Sequence, residues 1–282
     1  MEKVLVTGVA GQLGYDVVRR LGELKIEAVG VDIEDFDLTN AQETADYIKK
    51  CEPTVIVHCA AYTAVDKAED FGETAYAVNV AGTENIAQAA AELNCKFVYI
   101  STDYVFDGDT RDAHNANSPK KPEGVYARTK YQGEIVCEKL LSKLFIVRLS
   151  WVFGINGGNF VKTMIKLGKE RDELGVVCDQ IGSPTYTVDA AKLICEMIET
   201  EKYGVYNVAN EGYCSWYEFA KGIFEQAGLN VKVNSLTSDQ YPTRAKRPKN
   251  SCFSKKELDE NGFERLPSWE NALERFIKEL EN

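Results

Sequence analysis

Histidine is scarce in this chain, which has only His58 and His114, and its eight cysteines are scattered with no C-x-x-C pair. Few ligands are left for a zinc site, and no metal is expected. Several cysteines lie inside apolar runs such as Val57-His58-Cys59-Ala60, the setting of reduced core residues. No stretch approaches the roughly 18 apolar residues of a membrane span, and the opening MEKVLVTGVAGQLG enters a patterned strand with no apolar leader. A cytoplasmic protein with no membrane partner is therefore expected. Positive charge is also short: 33 Lys and Arg stand against 44 Asp and Glu, a formal charge of -11. A nucleic-acid surface would be basic, so nucleic acid is not expected as a partner. Internal repeats, low-complexity tracts and heptads are absent, while 282 residues can bury the core of one large or two modest domains.

What is present is an ordered alternation of strands and helices. Val4-Leu5-Val6 is a short apolar strand followed by Thr7-Gly8-Val9-Ala10-Gly11-Gln12-Leu13-Gly14 and a helical pattern through Leu21. Glycines at 8, 11 and 14 let the backbone turn tightly and approach a pyrophosphate, and the helix N-terminus offers free N–H groups to the anion. The whole turn, Leu13 included, is expected to line a dinucleotide. The second strand, Ile26 to Val31, ends at Asp32, whose carboxylate can bind the adenine-ribose hydroxyls. Glu34, Asp35 and Asp37 follow without a neighbouring arginine, so NADH is expected as cofactor, with NADPH possible. A third strand, Val55 to Cys59, is apolar throughout, as a sheet buried on both faces requires. Small Ala60 and Ala61 at its end would let adenine or ribose lie close, although a tight core turn reads equally well.

A long helix is expected from Glu73 to Leu93, and Phe97-Val98-Tyr99-Ile100 forms a fourth strand ending at Ser101-Thr102-Asp103-Tyr104. In a doubly wound sheet the ligand crevice lies at such strand ends. Either hydroxyl could reach a substrate carbonyl there, with turn capping as the alternative. Asp107 to Gly124 reads as a surface loop. Tyr126-Ala127-Arg128-Thr129-Lys130 then opens a helix running to Leu141, before a fifth strand at Leu144 to Val147. Its four-residue spacing puts a phenol and an ammonium on one helix face, where lysine charge can draw the tyrosine down from its ordinary pKa of roughly 10. Tyr217 and Lys221 repeat the spacing outside the dinucleotide domain, as a plain helix face.

Beyond Trp151 the alternation loosens. Helices are expected near 159–169, 188–198, 215–227 and 269–280, strands at 175–178 and 204–208, and a turn at Gln180 to Thr185. The fold class is α/β: a Rossmann-type doubly wound parallel sheet in residues 1–150, with a smaller substrate-binding lobe in 151–282 that returns some elements to the sheet. Pro242 to Lys249 is strongly cationic, and Arg247 there could hold a diphosphate, or the segment could be a solvated loop.

Taken together the glycine triad, the Ser/Thr after the fourth strand and Tyr126-x-x-x-Lys130 resemble the extended short-chain dehydrogenase/reductase family. Ala60 to Glu69, Ser101 to Gly108, Ser150-Trp151-Val152-Phe153-Gly154, Asp179 to Thr185 and Ala245-Lys246-Arg247-Pro248 resemble, within it, the dTDP-4-dehydrorhamnose reductases, over essentially the whole chain. That resemblance implies NAD(P)H-dependent reduction of the 4-keto group of dTDP-4-dehydro-L-rhamnose. It implies a catalytic set of Thr102, Tyr126 and Lys130, with Lys130 also on the nicotinamide ribose. It puts Ala10, Gly11, Gln12, Asp37, Leu38, Ala61, Tyr62, Thr63 and Ile100 near the dinucleotide, and Thr102, Asp103 and Trp151 at the sugar. Some members dimerise around magnesium held by acidic residues; those residues are not assigned on this chain, and magnesium use, monomer and homodimer all stay open.

Nucleotide-sugar epimerases and dehydratases share the fold and the Tyr-Lys pair. The dehydratases carry Thr-Asp-Glu where this chain has Thr102-Asp103-Tyr104, and so lacks the second acid that elimination uses. A non-catalytic regulatory subunit of the same fold is a further alternative, against which the intact Thr102, Tyr126 and Lys130 weigh.

Overall fold

The computed structural model describes residues 2–281. Its centre is a parallel sheet of six strands. β1 (Lys3–Thr7) has β2 (Glu27–Val31) on one side and β3 (Val55–His58) on the other; β4 (Lys96–Thr102), β5 (Leu144–Leu149) and the edge strand Gly204–Val208 follow outward from β3. The order changes direction at β1. A crevice must therefore open where the connections from β1 and β3 diverge, at the carboxyl ends of the strands.

Both faces of the sheet are covered. Side chains alternate along a strand, so Val4 and Val6 pack with Val17 and Leu21 of α1 (Gln12–Glu23) and with the helix Thr187–Ile198. Leu5, between them, packs with Ile48 of α2 (Ala41–Cys51) and with the helices Thr83–Glu92 and Gly124–Leu140. This explains the apolar runs Val55 to Val57 of β3 and Leu144 to Val147 of β5. Asn40 caps α2, its side chain accepting from the backbone N–H groups of Gln42 and Glu43. A third core, around Phe153, Val161, Phe219 and Phe276, belongs to the later lobe. Ser215 and Glu218 close a reciprocal capping box at the start of the helix Trp216–Gln226. The sixth strand and the helix Thr187–Ile198 both come from beyond Trp151.

Three segments depart from expectation. The helix expected from 73 to 93 is broken by a π turn at Ala77–Gly82 between Gly72–Tyr76 and Thr83–Glu92. The π turn inserts Asn79, whose side chain accepts from the Tyr62 N–H and donates to Thr129. Gln180 to Thr185 is not a simple turn: Ile181–Gly182 pairs with Cys214–Ser215 and with Asn250–Ser251. The stretch 107–124 is not a free surface loop either, because His114 is buried and stacked on Phe106, and Phe106 bridges to Lys120. All three depend on partners distant in sequence. The eight cysteines are free thiols, six of them buried. Among the described residues no helix is long and apolar enough to cross a membrane, and no group of three His, Cys, Asp or Glu gathers as a metal site.

Candidate active site

A cleft of about 710 Å³ opens at the carboxyl ends of β1 to β4 and reaches into the later lobe. Every site residue expected from the sequence lines it: Gly8, Ala10, Gly11, Gln12, Leu13 and Gly14 of the first turn; Asp32, Asp37 and Leu38 after β2; Ala60, Ala61, Tyr62 and Thr63 after β3; Ile100, Thr102 and Asp103 of β4 and its end; and Tyr126, Lys130, Trp151 and Arg247. Tyr217 and Lys221 stay outside, with the Lys221 ammonium 5.5 Å from its own neighbour's ring.

The first turn is built for close approach. Gly8 has φ +72°, and a Cβ there would lie 2.6 Å from the Ala60 nitrogen. A Cβ on Gly14 would lie 2.3 Å from the Gly8 carbonyl oxygen. Gly11 precedes helix α1 as an N-cap without a side chain, and the helix's first turn holds no acid. Its first N–H groups, at the positive end of the helix dipole, therefore face the cleft without a competing anion. Asp32 is held by the N–H groups of Ala10, at 2.8 Å, and Ile33, at 2.9 Å. These residues fit a dinucleotide: a cradle that a side chain would fill, an anion-binding helix end, and a carboxylate at the neighbouring strand end.

Thr102 is the last residue of β4, and its hydroxyl lies near enough to the Tyr126 phenol to favour the phenolate. It also donates to Asp103 Oδ1 at 3.0 Å and accepts from the Tyr104 N–H at 3.3 Å. A hydroxyl has a single hydrogen. Thr102 can donate to a substrate oxygen only by turning that hydrogen away from Asp103. Asp103 is buried, and burial pushes its carboxyl up to about 6 despite hydrogen bonds from Ser251 and Thr102.

Lys130 is buried one turn beyond Tyr126, with its ammonium 4.2 Å from the centre of the Tyr99 ring. The Tyr99 hydroxyl donates to the Lys130 carbonyl at 3.1 Å. Burial brings the Lys130 amine down to about 8, and the nearby Glu134 charge acts in the opposite direction. Tyr126 is half-exposed by surface area, yet it packs deeply enough that desolvation raises its phenol above the usual range. The lowering expected from lysine is not seen: Lys130 is not among the groups acting on the phenol, and the help of the Thr102 hydroxyl is outweighed by the loss of water.

Arg247 is at the cleft but is not a free cation. Its guanidinium donates to the Tyr104 hydroxyl at 3.0 Å and to Asp66 at 2.5 Å. Arg244 pairs with Asp70, and Lys246 with Glu123 and Asp109. The cationic segment is thereby matched by acids from the first half of the chain, which fits neither a bare solvated loop nor an unpaired phosphate site.

Four neighbours escaped sequence reasoning. Tyr104 packs edge-on to Tyr126 at 5.6 Å, Asp66 holds Arg247, Ser251 donates to Asp103, and Trp216 stacks on Trp151. Tyr104 and Asp66 stand within the family-like stretches Ser101 to Gly108 and Ala60 to Glu69, which carry their identity but not their contacts. Ser251 and Trp216 come from distant segments with no local signal.

The family model described as "RmlD substrate binding domain" matches residues 1–282. The dTDP-4-dehydrorhamnose reductase of Aggregatibacter actinomycetemcomitans is 41% identical over 287 residues, covering 97% of each chain. A dTDP-4-dehydrorhamnose reductase structure from Clostridium acetobutylicum superposes with a TM-score of 0.97 at 40% identity, covering 99% of this chain and 100% of that one. The enzyme of that name from Bacillus anthracis, solved in complex with NADP, has a TM-score of 0.96 at 45% identity, with 99% of each chain covered. With a family model matched over residues 1–282 and a relative 41% identical over 97% of each chain, the chain belongs to the family of the dTDP-4-dehydrorhamnose reductases.

Proposed function

We propose that this protein reduces the 4-keto group of dTDP-4-dehydro-L-rhamnose to give dTDP-L-rhamnose, with NADH or NADPH as reductant. The observation that carries the reading is the meeting of Thr102, Tyr126 and Lys130 on one wall of the cleft, beside a glycine turn fitted to a dinucleotide. A bound nicotinamide supplies the hydride. As the sugar carbonyl gains electrons, negative charge grows on its oxygen, where Thr102 donates a hydrogen bond and Tyr126 gives up its proton. Burial keeps that proton on Tyr126 at neutral pH until the oxygen becomes the stronger base. The Lys130 ammonium, one turn away, compensates the phenolate left behind. General acid catalysis of this kind contributes roughly 10²- to 10⁴-fold, and the cleft supplies the rest by holding the reactants in line.

In this reading the residues after 151 mainly form the substrate lobe, Trp151 is an apolar wall for the sugar, and Asp103 touches it. Asp32 with Asp35 favours NADH, since a 2′-phosphate would meet their charge; the NADP in the Bacillus anthracis relative makes NADPH the necessary comparison. The partners are small molecules, the compartment is the cytoplasm, and a monomer or homodimer suffices. The test is to mix purified protein with the 4-keto sugar nucleotide and either cofactor while following nicotinamide absorbance. Oxidation with at least one cofactor is expected, and none with either would sink the proposal.

A further inference from the structure

Thr102 and the Tyr126 to Lys130 turn sit on different elements, β4 and the helix Gly124–Leu140, which the Tyr99 hydroxyl joins at the Lys130 carbonyl. A second fastening lies one helical turn further on. Ser101, next to Thr102 on β4, donates to Glu134 Oε1 at 2.5 Å. Glu134 is one helical turn beyond Lys130. Its carboxylate is gripped by both arms of Arg148 on β5, with Nε at 2.8 Å and Nη2 at 2.6 Å. Arg148 is the ladder partner of Ser101 across β4 and β5, and its Nη1 also donates to the Ala116 carbonyl at 3.0 Å. Ser101, Glu134 and Arg148 are 5%, 1% and 2% exposed; Ser101 borders the cleft, and neither Glu134 nor Arg148 lines it.

A buried ion pair adds little net stability over apolar side chains of the same volume. What a bidentate pair does provide is fixed direction and length. We infer that Glu134 and Arg148, clasped through Ser101, are positioning residues that set Thr102 against Tyr126 and Lys130 for hydride transfer. This rests on the reductase reading above. The clasp ties three elements within one turn of the reacting groups, and misplacement there is felt in the chemical step more than in binding.

The test compares the full-length wild type with Ser101→Ala and with the apolar double variant Glu134→Leu/Arg148→Met, which is expected to fold because the charges leave together. Single-turnover oxidation of NADH and of C4-deuterated NADH by the 4-keto sugar nucleotide is recorded with KM values and thermal melts. Both variants should lose about tenfold or more in the hydride-transfer rate while KM for either ligand moves less than about twofold. The isotope effect on kcat should rise as chemistry becomes limiting, and Ser101→Ala should melt as the wild type does. A merely structural role would move the melt and leave rate and isotope effect alone below it, and that result overturns the inference. An inactive wild type would instead sink the reductase reading and this inference with it.

Discussion

The indole of Trp151 lies face to face with that of Trp216, ring centroids 3.6 Å apart and planes 11° from parallel. Trp151 reaches this position with φ +46°, a left-handed conformation that costs a non-glycine residue energy and occurs where a site requires it. Gly182 makes room: a Cβ there would lie 2.7 Å from the Trp151 ring. The stack joins the segment after β5 to the later lobe, along the wall proposed for the sugar.

Trp151→Ala removes that wall and leaves the glycine turn untouched. It should raise KM for the nucleotide sugar by roughly tenfold or more, the scale expected for a large aromatic contact, while NADH affinity measured by fluorescence titration stays put. An unchanged KM would place the sugar elsewhere.

Tyr126→Phe keeps the ring and its edge-on contact with Tyr104 but deletes the proton donor. Turnover should fall by at least about a hundredfold with little change in dinucleotide binding. Near-normal turnover would remove Tyr126 from the acid role.

Lys130 supplies a pH signature. Its amine is lowered from 10.5 to about 8 by burial, so the free enzyme loses this charge as pH rises through about 8. Catalytic efficiency, kcat/KM, should therefore decline on the alkaline side near that value, and the limb should be missing in Lys130→Met. Stability has the opposite sign: between about 8 and 10.5 the unfolded chain binds more protons than the native one at this residue, so its contribution to stability grows with pH. Denaturant titrations across this window, wild type against Lys130→Met, measure that difference.

Gly133 lies where the helix carrying Tyr126 and Lys130 crosses the π turn. A Cβ there would be 2.1 Å from the Tyr99 hydroxyl and 2.8 Å from the Asn79 carbonyl oxygen. Gly133→Ala should destabilise the fold by about 1–3 kcal/mol, the usual cost of overpacking, and calorimetry would register it as a lower Tm. A melt equal to wild type would mean that Tyr99 gives way freely.

The sequence by itself determined the parts set by local chemistry. Apolar runs, a glycine turn and β-branched strands specify the β1 to β5 alternation, because burial on both faces demands uninterrupted apolar residues. Order along the chain also separated Tyr126 and Lys130 from their repeat at Tyr217 and Lys221. Tertiary structure alone decided the rest. The π turn at Ala77–Gly82, the strand at Ile181–Gly182 and the burial of His114 depend on partners 50 or more residues away in several cases, which no local window contains. The acids that answer the basic segment, the Trp216 stack and the Glu134 to Arg148 clasp are likewise contacts between elements. The ionisation of Tyr126 departs from the expectation of helical spacing for the same reason. Spacing puts a lysine on the same helix face, whereas the desolvation that raises the phenol exists only once the chain has folded around it.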